Sequence, residues 1–119
     1  MKNIHESFSK LLLKNLEKYK SSKNLNKETC VLIYQDIFST LVNVFQESNI
    51  NVCNESMNMV SQMYYDSIKI NGNQELDPNI FSQRASTKNI ETKELAMLAS
   101  FFSGTPFAEP FVFEVKKRS

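Results

Sequence analysis

The sequence predicts an all-α fold, a bundle of about four helices, and two observations support that prediction. Apolar residues recur at spacings of three and four over most of the chain, which lines one face of a helix with about 3.6 residues per turn. Turn-forming residues are scarce: the 119 residues include two glycines and three prolines, whereas β-sandwiches and barrels use many of them. We therefore expect a helical domain over residues 1–106 with a central helical hairpin, followed by an extended aromatic tail over 107–119 that is not a separate domain.

The first two helices are expected to be joined by a short polar connection. The pattern predicts the first helix over about residues 3–20, a connection at 21–24 and an N-cap at Asn26. The second helix is expected over residues 27–47, and apolar side chains cover well over half of its circumference, which predicts burial by several neighbours at once. A break at 48–51 follows, where one of the asparagines is expected to adopt a left-handed conformation.

The rest of the helical domain is expected to contain two further helices and a short turn. The third helix is predicted over residues 52–70, ended by the glycine at 72. Asp77 followed by Pro78 is typical of an N-cap that opens a short helical turn. A last helix is expected from residue 87 or 89 to residue 103.

The C-terminal tail has a pattern typical of a β-strand. Within residues 107–115, three apolar residues alternate on one side of the chain, Phe111, Phe113 and Val115. A single strand leaves its backbone groups unpaired, so we expect it to pair with a second copy or with a partner's sheet edge. The predicted self-association residues are Phe107, Phe111, Phe113 and Val115. The alternative is an extended tail that covers apolar side chains of its own bundle.

The charges are segregated along the chain. Residues 1–27 contain seven lysines and two glutamates, whereas residues 28–68 contain five acids and no Lys or Arg. Lys10, Lys14 and Lys18 recur every four residues and form a possible contact for a polyanion, either a phosphate backbone or an anionic membrane. The alternative is that segments of opposite charge pack side by side within one domain.

The residue types do not favour catalysis. The single histidine, His5, lies beside no nucleophile motif and is expected to face solvent in the first helical turn. Two cysteines and one histidine do not complete a four-ligand zinc site, and two glycines do not form a phosphate-binding loop. We expect no enzyme activity, no cofactor and no metal. Cys30 and Cys53 are expected to be free and buried, as suits a cytoplasmic protein.

The favoured function is a non-catalytic protein-interaction, scaffold or regulatory module. We expect a homo-oligomer that associates through its helices and C-terminal strand, with a further protein partner at that strand and no membrane span. The alternative is a nucleic-acid-binding module that uses the basic first helix.

The order of parts is similar to that of two known families. A basic first helix, a long helical hairpin and a final strand resemble phage small terminase subunits, which form DNA-binding rings. The same order is similar to small helical bacteriocin immunity proteins with aromatic tails. Both resemblances cover the whole chain by layout and rest on no residue motif, so they imply no site residues. The small-terminase resemblance implies the nucleic-acid alternative, and the abundance of asparagine and serine is typical of an AT-rich genome.

Overall fold

The all-α fold class is confirmed by a computed structural model, which describes residues 4–19, 27–71 and 73–119. Short 3₁₀ turns continue the first helix and precede the last one. The expected connection at 21–24 and the N-cap at Asn26 lie outside the described residues. Within the described segments the α-helices are α1 (Ile4–Asn15), α2 (Lys27–Glu47), α3 (Asn54–Ser67), α4 (Pro78–Gln83), α5 (Thr92–Phe101) and α6 (Glu109–Arg118). There are thus six of them, and not four.

The central hairpin of α2 and α3 is confirmed, with the bounds of α2 as predicted. Asn49 has a φ of 56°, the left-handed conformation that turns the chain between the two helices. The backbone N–H of Ile50 donates to the carbonyl of Phe45 at 2.8 Å, which closes the end of α2. Both helices of the hairpin contribute buried side chains to the core.

The third helix ends three residues earlier than predicted, because a β-hairpin follows it. Strand β1 (Ile68–Asn71) pairs with the antiparallel strand β2 (Asn73–Leu76), with Ile68 opposite Leu76. The asparagine–glycine dipeptide at 71–72 is typical of a hairpin turn as well as of a helix end. The alternating isoleucines at 68 and 70 favour the strand over one more helical turn.

The capping signal before α4 is confirmed, whereas the start of α5 lies later than expected. An Asp77 carboxylate oxygen accepts from the backbone N–H groups of Asn79 and Ile80 at 2.9 and 3.4 Å. Helix α5 begins at Thr92, and residues 84–91 form the loop before it. Gly104 has a φ of 83° and allows the chain to turn back after α5.

The prediction of a C-terminal strand is wrong, since α6 is a helix. Glu109 and Pro110 occupy its first turn and basic residues its last, which is the charge arrangement that the helix dipole favours. Phe111 and Val115 are four residues apart, so the helix places both towards the bundle, whereas Phe113 points away from it. The ring of Phe111 stacks on Phe102 at 5.3 Å.

Arg118 connects the end of α6 to the loop before α5 by hydrogen bonds. Its guanidinium donates to the carbonyls of Ile90, Thr87 and Lys88 at 2.7, 3.1 and 3.1 Å. It also forms an ion pair with Glu114 at 3.3 Å. The planar guanidinium has five N–H donors and can therefore bind several carbonyls at once. These hydrogen bonds connect the end of α6 to the loop.

The core is aromatic and is centred on Tyr64 of α3, which is fully buried. Rings from α1, α4 and the end of α5 surround it at centroid distances of 4.9–6.1 Å, those of His5, Phe8, Phe81 and Phe102. Such edge-on and tilted pairs stabilise a core beyond the area that they bury. Of the helices in the described segments, none is both long and apolar enough to cross a bilayer.

Candidate functional site

The outward face of the first half of α2 exposes apolar side chains. One stripe of this helix is buried in the core, formed by Ile33, Ile37, Leu41 and Phe45. Outside this stripe, Val31 is 48% exposed and Leu32 is 50% exposed. The sequence predicted burial of α2 on most sides, and this part of the helix is the exception. These two adjacent side chains form an exposed apolar patch on α2.

A groove lies beside this face, between α2 and the second half of α3. It has a volume of about 500 Å³ and shares Val31 with the exposed face. Its floor is formed by Tyr34 and Tyr65, whose rings pack edge to face at a centroid distance of 6.1 Å. The Tyr34 hydroxyl donates to the carbonyl of Asn58 at 3.3 Å, which fixes the ring between the two helices.

The groove is uncharged except at its rim. A hydrogen bond with the Cys30 thiol, aided by burial, raises the pKa of Tyr65 to about 12, and burial raises the pKa of Tyr34. Both phenols are therefore neutral at physiological pH. Lys27, which lines the groove, and Glu28, which lines the adjoining depression on α2, carry opposite charges. We name the surface formed by Lys27, Glu28, Val31, Leu32, Tyr34, Gln35 and Tyr65 the α2 face.

The four residues predicted for self-association are dispersed around α6 and the turn before it. Phe111 is fully buried, and Phe107 is half-buried with its ring 4.4 Å from His5 and 5.0 Å from Phe81. Val115 is half-buried, whereas Phe113 is 68% exposed. The tail therefore packs on its own bundle as a helix. Phe113 is its exposed large apolar side chain.

The three lysines predicted to contact a polyanion do not form one regular row. Lys10 pairs with Glu6 at 3.6 Å, and Lys18 pairs with Asp36 of α2 at 3.1 Å. Lys14 lies on α1, whereas Lys18 lies in the following 3₁₀ turn, where the helical spacing changes. The contact between Lys18 and Asp36 favours the alternative in which oppositely charged segments pack side by side.

His5 is buried, so the prediction that it faces solvent is wrong. It is 3% exposed, with Nδ1 at 2.9 Å from the Tyr64 hydroxyl and Nε2 at 3.2 Å from the Ser9 hydroxyl. Rings of Phe102 and Phe107 lie 5.0 and 4.4 Å from the imidazole. Burial lowers the pKa of His5 to about 4, so the ring is neutral at pH 7. Both ring nitrogens thus lie within hydrogen-bonding distance of hydroxyls, and the contact with Tyr64 joins α1 to α3.

The two cysteines lie in different environments. Cys30 is half-buried beside Tyr65, and Cys53 is exposed at the start of α3, so the prediction that both are buried is wrong. The backbone N–H of Cys53 donates to the Glu94 carboxylate, and its thiol lies 3.4 Å from the Ser56 hydroxyl. In the part of the chain that the structure describes, no group of three His, Cys, Asp or Glu side chains is placed to hold a metal ion.

No family model, no curated protein and no solved structure matches this chain. The similarity to phage small terminase subunits and to bacteriocin immunity proteins therefore stays one of layout. One part of that layout also differs, because the final strand is the helix α6.

The sequence interpretation missed the residues of the α2 face, although a signal for them was present. Glu28, Gln35 and Ser39 follow the same face of the helix as Val31 and Leu32, and polar residues at those spacings indicate a solvent boundary. Tyr65 could not be connected to Tyr34 from the sequence, because their contact depends on how α3 rotates against α2.

Proposed function

We propose that this protein is a non-catalytic interaction module and that it associates with a second copy of itself through the α2 face. The observation that carries the proposal is the exposure of Val31 and Leu32 beside the uncharged tyrosine groove. Removing such side chains from water contributes roughly 1.5–3 kcal/mol each when burial is complete.

A second copy fits this face because the face is complementary to itself. A two-fold interface brings the same patch together from both subunits, so each group needs a partner within its own patch. Lys27 and Glu28 supply one positive and one negative charge at the rim, and Gln35 supplies both a donor and an acceptor. The apolar centre and the mixed rim resemble the usual anatomy of a protein interface.

Three serine substitutions at similarly exposed apolar residues test the proposal. Leu32→Ser removes part of the α2 face, whereas Leu11→Ser removes a side chain of 46% exposure from α1. Phe113→Ser removes the exposed ring of α6. We expect Leu32→Ser to weaken self-association by about tenfold or more, because an apolar contact at the centre of an interface is lost.

Light scattering coupled to size exclusion, at several protein concentrations, measures the effect. Leu11→Ser is the matched control and should keep the wild-type mass at each concentration. If Phe113→Ser lowers the mass and Leu32→Ser does not, the interface lies on α6 and the proposed surface is wrong. Circular dichroism verifies that the exposed substitutions leave the helices intact.

A further inference from the structure

The outward side of α6 places an aromatic ring between two lysines. Phe113 is 68% exposed, although the residues two positions before and after it, Phe111 and Val115, face the bundle. Lys116 and Lys117 follow Phe113 by three and four residues, so at about 100° per residue they lie roughly 60° and 40° to its two sides. Both lysines are exposed. The exposed side of α6 therefore carries one large apolar side chain flanked by two cations.

The hydrogen bonds of Arg118 bring a third lysine to the same end of α6. The guanidinium donates to the carbonyl of Lys88 at 3.1 Å, and Lys88 is exposed in the loop before α5. Arg118 itself forms an ion pair with Glu114. In residues 4–19, 27–71 and 73–119, no carboxylate forms an ion pair with Lys88 or with the two exposed lysines of α6. We name Lys88, Phe113, Lys116 and Lys117 the α6 patch.

The charge of the α6 patch favours an anionic partner. Its three lysines stand against one exposed acid of the same loop, Glu91. The exposed acid of α6, Glu109, lies two helical turns before Lys116, a distance of about 11 Å along the axis. Since this distance exceeds the Debye length of about 8 Å at physiological ionic strength, Glu109 compensates little of the positive charge.

The shape of the α6 patch favours a membrane surface over a nucleic acid. Helix α6 packs on α5 with one side and exposes the other, so the patch is convex and the ring of Phe113 protrudes from it. A bilayer interface accepts a protruding apolar side chain, while lysines beside it reach the lipid phosphates. Single-stranded nucleic acids are held in positively charged grooves, and the outside of a duplex offers phosphates rather than apolar contacts.

We infer that the α6 patch docks on the anionic surface of a lipid bilayer, with Phe113 inserted at the interface and the three lysines against lipid phosphates. The contact is peripheral. One ring and three lysines predict weak, reversible binding that requires anionic lipid and decreases with salt. The patch lies on a different helix from the α2 face, so the inference is independent of self-association.

A tryptophan at residue 113 tests the insertion directly, because the sequence contains no Trp. Phe113→Trp adds a single indole, whose fluorescence emission moves to shorter wavelength when it leaves water. We expect this shift at low salt with vesicles of equal parts phosphatidylcholine and phosphatidylserine, and no shift with phosphatidylcholine alone. Leu11→Trp is the matched control, since Leu11 is 46% exposed on α1, and its emission should not change with either vesicle.

Two pairs of lysines test the electrostatic contribution. In the Phe113→Trp protein, Lys116→Gln combined with Lys117→Gln should weaken binding to the mixed vesicles by at least about tenfold, measured from the emission as lipid is titrated. Lys10→Gln combined with Lys14→Gln removes two exposed lysines from α1 and should leave binding unchanged.

Three results would overturn the inference. The first is an emission of Phe113→Trp that does not shift with the mixed vesicles. The second is an equal loss of binding for the lysine pairs of α1 and α6, which would mean that the protein has no defined docking surface. The third is a response of Phe113→Trp to a single-stranded oligonucleotide and not to vesicles, which would assign the α6 patch to nucleic acid.

Discussion

His5 shows how one residue joins elements that are far apart in the sequence. Its hydrogen bond to Tyr64 spans 59 positions along the chain, and the two rings stack at a centroid distance of 6.0 Å. Its burial had a signal in the sequence, because His5, Phe8 and Leu12 are spaced by three and four and so share one helix face. Its partner Tyr64 had no such signal, since only the packing of α1 on α3 brings the two together.

The neutral state of His5 predicts a loss of stability in acid. The folded pKa, about 4, is below the ordinary histidine pKa of 6.5, so the unfolded chain binds the proton first as the pH falls. The contribution of His5 to the free energy of unfolding is therefore complete above pH 6.5 and declines between pH 6.5 and 4. From pH 7.5 to 4.5 we expect a loss of roughly 2–3 kcal/mol from this residue.

Urea unfolding of wild type and His5→Asn at the two pH values measures this loss. Asparagine keeps hydrogen-bonding groups near Tyr64 and does not titrate. The two proteins have the same carboxylates, which therefore contribute equally to the pH dependence of the free energy of unfolding. The difference between the two pH dependences isolates His5. Equal pH dependences for the two proteins would mean that His5 is accessible and protonates freely.

At the scale of elements, the helix α6 is where the sequence interpretation failed. The alternation of Phe111, Phe113 and Val115 is compatible with a strand, but it competes with helical signals in the same ten residues. Those signals are Pro110 in the first turn, basic residues in the last turn, and a spacing of four between Phe111 and Val115. Packing decides between them, because the helix buries Phe111 against Phe102 and brings Arg118 to the loop before α5.

Two phenylalanines of α6 provide a matched pair for a stability measurement. Phe111→Ala removes a fully buried ring and should lower the free energy of unfolding by about 3–5 kcal/mol. Phe113→Ala removes a ring that is 68% exposed and should change stability by less than about 0.5 kcal/mol. Urea unfolding followed by circular dichroism measures both. A similar cost for the two variants would contradict the helical placement of the tail.

The helical hairpin shows what the sequence predicts well. The bounds of α2 follow from a long run of periodic apolar residues, and the left-handed Asn49 follows from the polar break after it. The β-hairpin at 68–76 was missed because its strands are four residues each, too short for a period to separate them from the preceding helix.

In the whole molecule, the basic first segment contacts the acidic hairpin, whereas one face of that hairpin is nearly uncharged. The contact between Lys18 and Asp36 shows that the basic first segment meets the acidic hairpin within one chain. The α2 face lies on the same hairpin but is nearly uncharged, with Lys27 and Glu28 at its rim. Composition therefore indicated how the segments pack, whereas the exposed face depends on which side of α2 the other helices cover.

The proposed function requires that this chain associates with a second copy of itself. Sedimentation equilibrium of the wild-type protein over a wide range of concentrations tests it most directly. We expect a mass that rises with concentration from the chain mass of 13.8 kDa towards twice that value. A mass that stays at 13.8 kDa at every concentration would contradict it.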